Sequence, residues 1–172
     1  MKGLSNCRWC TAVTENEFID AVKRNNQRLF LIALSYTKNQ TDAQDILQNT
    51  FLKLWQNTKE FKNDGHLDKW LTRVAVNESK NLLRSPFKSR SVPLEEADIK
   101  YDFAENQDHD LFNAVMELPQ KQRTVIHLFY YEDMSVKEIA EALGIRENAV
   151  KTRLSRGRTQ LKNILGDDWN DE

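Results

Sequence analysis

The stretch that decides the fold runs from Ser135 to Leu161 and reads SVKEIAEALGIRENAVKTRLSRGRTQL. It begins with Ser135 and Glu138 at the spacing of a capping box, in which hydroxyl and carboxylate satisfy backbone amides at a helix start. Gly144 then suits the end of this helix, because glycine adopts a positive φ without steric cost. The pattern predicts a short helix followed by a tight turn, with Ile145 closing the corner.

A second helix is predicted after this turn, with Val150, Leu154 and Leu161 on its apolar side. Its other side carries side chains that can donate to phosphates and base edges in a DNA major groove. These are Asn148, Lys151, Thr152, Ser155, Arg156 and Thr159. The two helices together predict a helix-turn-helix. The alternative, a surface helix whose polar side is only solvated, is less favoured because the cap, the turn and both apolar stripes coincide.

Length and composition indicate an ordinary globular protein. The chain has 172 residues, enough for one domain or two small ones, and is 40% hydrophobic and 30% charged. No apolar run reaches the length of a membrane span, so no membrane insertion is expected. The first residues lack the continuous apolar core of a signal peptide, and a cytoplasmic protein is expected.

The net charge of −1 conceals a strong segregation of charge along the chain. Residues 1–90 have a net charge of +6, residues 91–116 of −6, and residues 117–166 of +3. Basic blocks suit a polyanionic partner, and an acidic segment between them would avoid or imitate that partner. A linker that is acidic only for solubility explains the pattern equally well.

The remaining periodic segments also predict helices, which makes the chain all-α with two small helical domains. Thr14 with Glu17 and Thr41 with Gln44 have capping-box spacing and predict two helix starts. A third helix is predicted from about Leu67 to Arg84, before Ser85-Pro86. The predicted organisation is an N-terminal domain over 1–85, an acidic linker over 86–109 and a helix-turn-helix domain over 110–172. The side chains expected to face the core are Phe18, Ile19, Val22, Leu29, Phe30 and Ala33 in the first helix and Ala43, Ile46, Leu47, Leu54 and Trp55 in the second.

The third predicted helix carries a second polar surface, which we call the basic stripe. On a helical wheel it lies opposite the apolar positions Leu67, Leu71, Val74 and Leu82, and Trp70 marks the border. An indole there can pack on the core and still offer a face to an unstacked base. The alternative is a core tryptophan beside a solvated stripe. The basic stripe consists of Arg73, Asn77, Lys80, Asn81 and Arg84.

No residue pattern favours a cofactor, a metal or catalysis. Cys7 and Cys10 form one CxxC, but His66, His109 and His127 do not stand at zinc-finger spacing from it. A phosphate-binding glycine loop and the HExxH metal motif are both missing from the sequence. We expect two reduced cysteines and a protein that is not an enzyme.

Three segments in order make the chain recognisable: DAQDILQNTFLKLW, then WLTRVAVNESKNLL, then LPQKQRTVIHLFYYEDMSVKEIAEALGIRENAVKTRLSRGRTQLK. Over roughly residues 15–165 the sequence resembles the sigma-70 family of RNA polymerase initiation factors, and within it the small two-domain extracytoplasmic-function group. The resemblance implies a transcription initiation factor that brings core polymerase to promoters and melts them. It also implies contacts with the β′ clamp helices and the β flap of polymerase, and commonly an anti-sigma factor.

The resemblance assigns roles to particular residues. Residues 42–56 would dock on the β′ clamp helices through a docking face of Asp45, Gln48 and Asn49. Residues 61–81 would open and read the −10 promoter element, with Trp70 as the wedge and Asn77 as a reader. The loop formed by Lys62, Asn63, Asp64 and Gly65 would hold a flipped base. The recognition face that would read the −35 element consists of Asn148, Lys151, Thr152, Arg153, Ser155 and Arg156.

One position departs from the family pattern. Arg146 stands where a Ser or Thr usually caps the recognition helix, which costs about 1 kcal/mol. Two other functional classes are compatible with the residues alone. A DNA-binding regulator would need only the helix-turn-helix. A helical adaptor would use its polar surfaces to bind only proteins and would not need a recognition helix. The presence of both surfaces favours the initiation factor.

Overall fold

The structure, a computed structural model, describes residues 13–84 and 109–166. Within these ranges the chain is entirely α-helical apart from its connections, which confirms the predicted fold class. Cys7, Cys10 and the acidic linker before His109 lie outside the described residues, so their predicted roles stay predictions. The helices are α1 (Glu15–Thr37), α2 (Gln40–Trp55), α3 (Asp64–Arg84), α4 (His109–Glu117), α5 (Gln120–Tyr130), α6 (Val136–Leu143) and α7 (Glu147–Leu165).

Helices α1 to α3 form the N-terminal unit, and two of their three starts differ from expectation. The capping box of Thr14 and Glu17 is present at α1. The predicted capping box of Thr41 and Gln44 is wrong, because α2 begins earlier. The Asn39 side chain accepts from the Asp42 amide at 3.0 Å, and Lys38 turns the chain with a positive φ of 54°. Asparagine is among the strongest capping residues, so the helix is capped at Asn39, two positions before the predicted cap at Thr41.

Helix α3 likewise starts three residues before the predicted Leu67. The side-chain oxygen of Asn63 accepts from the His66 amide at 2.8 Å and so acts as the cap. Asp64 and Gly65 therefore belong to the first turn of α3, and only Lys62 and Asn63 of the predicted base-binding loop precede the helix. Helix α3 ends at Arg84 as expected.

The core of the N-terminal unit contains most of the predicted apolar positions, with two exceptions. Ile19 and Trp55 were expected inside, but they are 40% and 55% exposed. Both lie at the edge of their helix's apolar side, where the wheel does not decide between core and surface. Phe18 and Val22 of α1 and Val74 and Leu82 of α3 are only partly buried. The interior of α3 is completed instead by Thr72, Ala75, Val76 and Ser79.

Helices α4 to α7 form the C-terminal unit, and its helix-turn-helix matches the prediction. Ser135 and Glu138 form the capping box of α6, and Gly144 ends that helix with φ of 64°. Arg146 precedes α7 without a side-chain cap. Gly157 lies where α7 crosses α5, and a Cβ there would stand 2.8 Å from the side chain of Ile126. The absence of a side chain at this position lets the two helices approach closely.

The two units pack directly on each other, α1 against α5 and α3 against α6. Residues 32–36 of α1 and residues 123–128 of α5 are all buried, on every side of each helix. A helix segment that is buried on every side must pack against other helices on more than one side. At this junction Arg123 is buried and donates to the Ser35 carbonyl at 2.5 Å and to the Leu118 carbonyl at 2.8 Å. Burial lowers the pKa of Arg123 to about 10.

Candidate nucleic-acid and polymerase interfaces

The docking face lies on the outer side of α2. Asp45, Gln48 and Asn49 are all exposed, whereas the opposite side of the helix is buried against α1 and α3. Two apolar side chains continue this face toward the end of α2, because Leu52 is 52% and Trp55 55% exposed. Sequence reasoning missed Leu52 and placed Trp55 in the core. Polar side chains beside exposed apolar ones are typical of a protein-binding surface rather than a solvated helix.

The recognition face on α7 is open. Asn148, Lys151, Thr152, Ser155 and Arg156 are exposed along one side of the helix. The opposite side buries Val150, Leu154 and Leu161, as the sequence predicted. The resulting surface presents amide, hydroxyl and guanidinium groups together, which are the groups that read base edges and phosphates in a major groove.

A notch of about 450 Å³ adjoins this face between the start of α5 and the first turns of α7. Lys121 and Gln122 on α5 line it opposite Asn148, Thr152 and Arg156. Sequence reasoning missed both α5 residues, although they follow Pro119 at a helix start, where unpaired amides and a positive dipole end favour an anion. The notch thus combines three cations around one concave surface, Lys121 from α5 and Arg153 and Arg156 from α7.

Arg153 differs from its neighbours on α7 because it also faces the N-terminal unit. It is half-buried, and its positive charge contributes to a lowered pKa of Lys80 on α3. Burial of the Lys80 ammonium is the main cause of that lowering, followed by the charges of Arg84 and Arg153. The predicted role of Arg153 in reading the −35 element stays a prediction.

Trp70 lies at the border of the α3 core, as predicted. It is half-buried, and its ring meets the ring of Phe61 edge to face at 5.4 Å. Phe61 itself is only 4% exposed. The Phe61 ring therefore holds the indole at the core, and Trp70 as a whole is only partly buried.

The segment predicted to hold a flipped base is organised by residues that sequence reasoning did not single out. The Lys62 amide donates to Nδ1 of His66 at 3.2 Å, and Asp64 pairs with Arg24 at 3.2 Å. The oxygen of Asn63 is engaged as the helix cap. A Cβ at Gly65 would meet only that oxygen, at the ordinary distance of 3.5 Å, so packing does not require a glycine there.

The basic stripe of α3 divides into an open and an engaged part. Asn77, Asn81 and Arg84 are exposed. Arg73 pairs with Glu141 of α6 at 2.9 Å, and Lys80 donates to the Leu143 carbonyl of α6 at 2.7 Å. The two units therefore meet at the surface that was predicted to bind the −10 element.

Other chemistry is not indicated within the described ranges. Among residues 13–84 and 109–166, no group of three or more His, Cys, Asp or Glu side chains is placed to hold a metal ion. Within the same ranges no helix is both long and apolar enough to cross a membrane. His127 is buried, which lowers the pKa of its imidazole to about 4 and keeps the ring neutral near pH 7.

Two protein-family models match the chain, one over each unit. The model described as Sigma-70 region 2 matches residues 21–86, and the model described as Sigma-70, region 4 matches residues 109–161. The chain belongs to the sigma-70 family. The RNA polymerase sigma factor SigV of Bacillus subtilis (strain 168) is 32% identical, over 83% of this chain and 87% of SigV. The ECF sigma factor SigM of Mycobacterium tuberculosis is 28% identical, over 87% of this chain and 77% of SigM.

Two solved structures resemble most of the chain. The sigma factor RpoE from Bartonella quintana, in complex with the anti-sigma factor NepR, has a TM-score of 0.73 and 25% identity, covering 90% of this chain and 99% of RpoE. CnrH, in complex with the cytosolic domain of CnrY, has a TM-score of 0.61 and 27% identity, covering 91% and 92%. This extracytoplasmic-function sigma factor directs RNA polymerase to promoters. The regulator and adaptor alternatives are set aside by that membership.

Proposed function

We propose that three helix surfaces divide the work of initiation in this sigma factor. The observation that supports this best is the presence of separate polar faces on α2, α3 and α7, each opposite a packed apolar side. The docking face of α2 binds the β′ clamp helices. Asp45, Gln48 and Asn49 supply its polar contacts, and the exposed Leu52 and Trp55 add apolar area, which carries much of the binding energy in protein interfaces.

The recognition face of α7 reads the −35 element as duplex DNA. Arg156 has the planar guanidinium that can contact a guanine edge with two hydrogen bonds, whereas Lys151 is a point charge suited to a phosphate. Lys121 and Gln122 on the opposite wall of the notch bind the DNA backbone and fix the register of α7. The C-terminal unit also contacts the β flap, which holds it at a set distance from the N-terminal unit.

The α3 surface opens and reads the −10 element. Unpairing a base costs a few kcal/mol, which the protein must return through stacking and hydrogen bonds to the open strand. The accessible part of the Trp70 ring supplies the stacking surface. Asn77 supplies donor and acceptor groups for a flipped base near residues 62–65, and the rest of the basic stripe follows the strand backbone.

An anti-sigma factor is the expected regulator. The two solved structures that resemble this chain are complexes of RpoE with the anti-sigma factor NepR and of CnrH with the cytosolic domain of CnrY. We extend that class of partner to this protein. The sigma factor acts in the cytoplasm, where polymerase and promoter DNA are found, and catalyses no reaction of its own.

Transcription in vitro with purified core polymerase tests the proposal. The full chain is added to core enzyme with genomic DNA fragments, and start sites are mapped. Transcripts that begin downstream of a shared pair of sequence elements, and that disappear without the sigma factor, support the proposal. If the protein binds core polymerase but initiates nowhere, the assignment of α3 and α7 to promoter elements is wrong.

A further inference from the structure

Two aromatic rings at the end of α5 hold an arginine of α7, and we call these three residues the arginine cluster. The rings of Phe129 and Tyr130 meet edge to face, with centroids 5.0 Å apart. The guanidinium carbon of Arg158 lies 5.7 Å from each ring centroid, and its Nε donates to the Tyr130 hydroxyl oxygen at 2.8 Å. The rings and the hydrogen bond constrain the same planar group, so they fix its orientation.

The arginine cluster is open to solvent. Arg158 is exposed, and Tyr130 is 51% exposed. Within residues 13–84 and 109–166, no carboxylate forms a salt bridge with Arg158, and only its Nε makes a hydrogen bond. The donors on Nη1 and Nη2 therefore remain for an anion, in the planar fork that matches a phosphate.

Arg158 lies at one edge of the recognition face. At about 3.6 residues per turn, Arg156 and Arg158 project about 160° apart, and the side chains of Thr152 and Ser155 lie between them. Arg156 borders the notch that Lys121 of α5 lines from the other side. The recognition face thus has the notch along one edge and the arginine cluster along the other.

A helix in the major groove has a DNA backbone on each side, because helix and groove are both about 12 Å wide. We propose that Arg158 is a pre-oriented phosphate contact to the DNA strand opposite the one held at the notch, with Tyr130 as its positioning residue. This inference rests on the proposed reading of the −35 duplex by α7. Holding the side chain in advance lowers the conformational entropy lost on binding, and contacts to both strands fix the register of α7 in the groove.

Arg158→Gln in the full chain tests the phosphate contact. Anisotropy of a labelled 20-base-pair random-sequence duplex is measured over a series of salt concentrations. We expect about tenfold weaker binding at low salt and a salt slope reduced by about one, because one phosphate contact is lost. Lys23→Gln is the matched control, since it removes one positive charge at an exposed position of α1 and should bind as the wild type does.

Tyr130→Phe tests the positioning role, because it keeps the ring and removes only the hydroxyl. We expect about threefold weaker binding when Arg158 is present and no further loss when Tyr130→Phe is added to Arg158→Gln. A hydroxyl that only stabilises the fold would weaken binding equally with and without Arg158, and that result overturns the positioning role.

Neutral methylphosphonate linkages identify the strand. They replace the phosphates of the −35 element one at a time, in promoter fragments found by start-site mapping, and binding of holoenzyme is measured. Arg158→Gln should cost nothing further at one phosphate or two adjacent phosphates of one strand, and Lys121→Gln should do the same on the other strand. Both variants mapping to one strand overturns the proposed arrangement.

The outcomes separate this inference from the proposed function. Wild-type affinity and salt slope in Arg158→Gln, with weakened binding in Lys151→Ala, overturns the phosphate contact and leaves the assignment of α7 intact. Wild-type duplex binding in both variants overturns that assignment as well. Loss of core polymerase binding by Arg158→Gln, with duplex binding unchanged, overturns the inference and assigns the arginine cluster to a protein partner.

Discussion

The proposed nucleic-acid faces of α3 and α7 have similar composition but opposite surroundings. Both combine arginines, lysines and amide or hydroxyl side chains on one side of a helix of about the same length. On α7 these side chains point outward, whereas on α3 two of the cations are engaged by α6. A basic helical face is therefore not necessarily free to bind a ligand. Its accessibility depends on what the rest of the chain packs against it.

The largest effect is expected from Asp45→Lys in the docking face of α2, which is as exposed as the recognition face of α7. Asp45 is exposed and the packed side of α2 is unaffected, so the fold should persist. Reversing a charge in the centre of a docking surface should reduce core polymerase binding at least about 100-fold. Co-purification with core enzyme measures this, and Asp20→Lys on the exposed side of α1 is the control for charge. Wild-type binding by Asp45→Lys would remove α2 from the docking assignment.

The next largest effects are expected from two alanine variants in the recognition face of α7. Arg156→Ala should cost about 1–3 kcal/mol on the preferred −35 sequence and weaken discrimination at one base. Lys151→Ala should weaken matched and mismatched duplexes alike, because a phosphate contact is independent of sequence. Binding of the polymerase holoenzyme to a series of matched and mismatched −35 duplexes measures both effects. Equal losses for the two variants on every duplex would contradict the division of roles.

Trp70→Ala tests whether the open part of α3 melts DNA. Transcription from a fully paired promoter should fall. It should largely recover on a template whose −10 region is mismatched, because the mismatches already keep the two DNA strands apart. Asn77→Ala should not recover, since reading the flipped base is still required.

Melting temperatures separate this wedge role from a purely structural one. Trp70 is half-buried, so its loss should cost clearly less than the about 3–5 kcal/mol expected for Phe61→Ala, whose ring is buried. A large stability loss in Trp70→Ala, with equal activity loss on both templates, would assign the indole to the core.

The smallest effect is a pH dependence at the junction between α1 and α5. Burial raises the pKa of Glu132 to about 7, against the opposing effect of Arg28. The folded protein therefore retains a proton that an exposed glutamate would release near pH 4.5, and this contribution to stability is lost as pH rises through 7. Burial of His127 acts in the opposite direction, with a contribution lost as pH falls from 6.5 toward 4.

Thermal unfolding between pH 6 and pH 8, compared between the wild-type protein and Glu132→Gln, isolates the Glu132 contribution, because His127 titrates near pH 6.5 in the unfolded state of both proteins. The wild-type protein should lose about 1 kcal/mol relative to Glu132→Gln over this interval. Glu132→Gln should lack this loss, because the amide does not titrate. Asp133→Asn, which neutralises the neighbouring exposed carboxylate, should keep the wild-type slope. A slope unchanged by Glu132→Gln would place the pH dependence elsewhere.

Local patterns were sufficient for much of the fold. The capping boxes of α1 and α6, the turn at Gly144 and the buried stripe of α7 depend on residues within a few positions of each other, and all are confirmed. The start of α2 was misplaced because two candidate caps stand two residues apart, and only the backbone conformation at Lys38 and Asn39 selects the asparagine. Trp55 was misplaced because its position at the edge of the apolar side fits both core and surface.

Sequence patterns alone predict that this chain is all-helical, that it carries a helix-turn-helix, and that polar faces lie on α2, α3 and α7. Helical periodicity and capping are properties of short segments, and a short segment contains all the information they need. Which of those faces is free depends instead on tertiary contacts. The pairing of Arg73 with Glu141 joins residues 68 positions apart. The packing of α1 on α5 buries segments whose own sequence patterns indicate only an ordinary helix. Such contacts depend on how whole helices fit together, which no local pattern specifies.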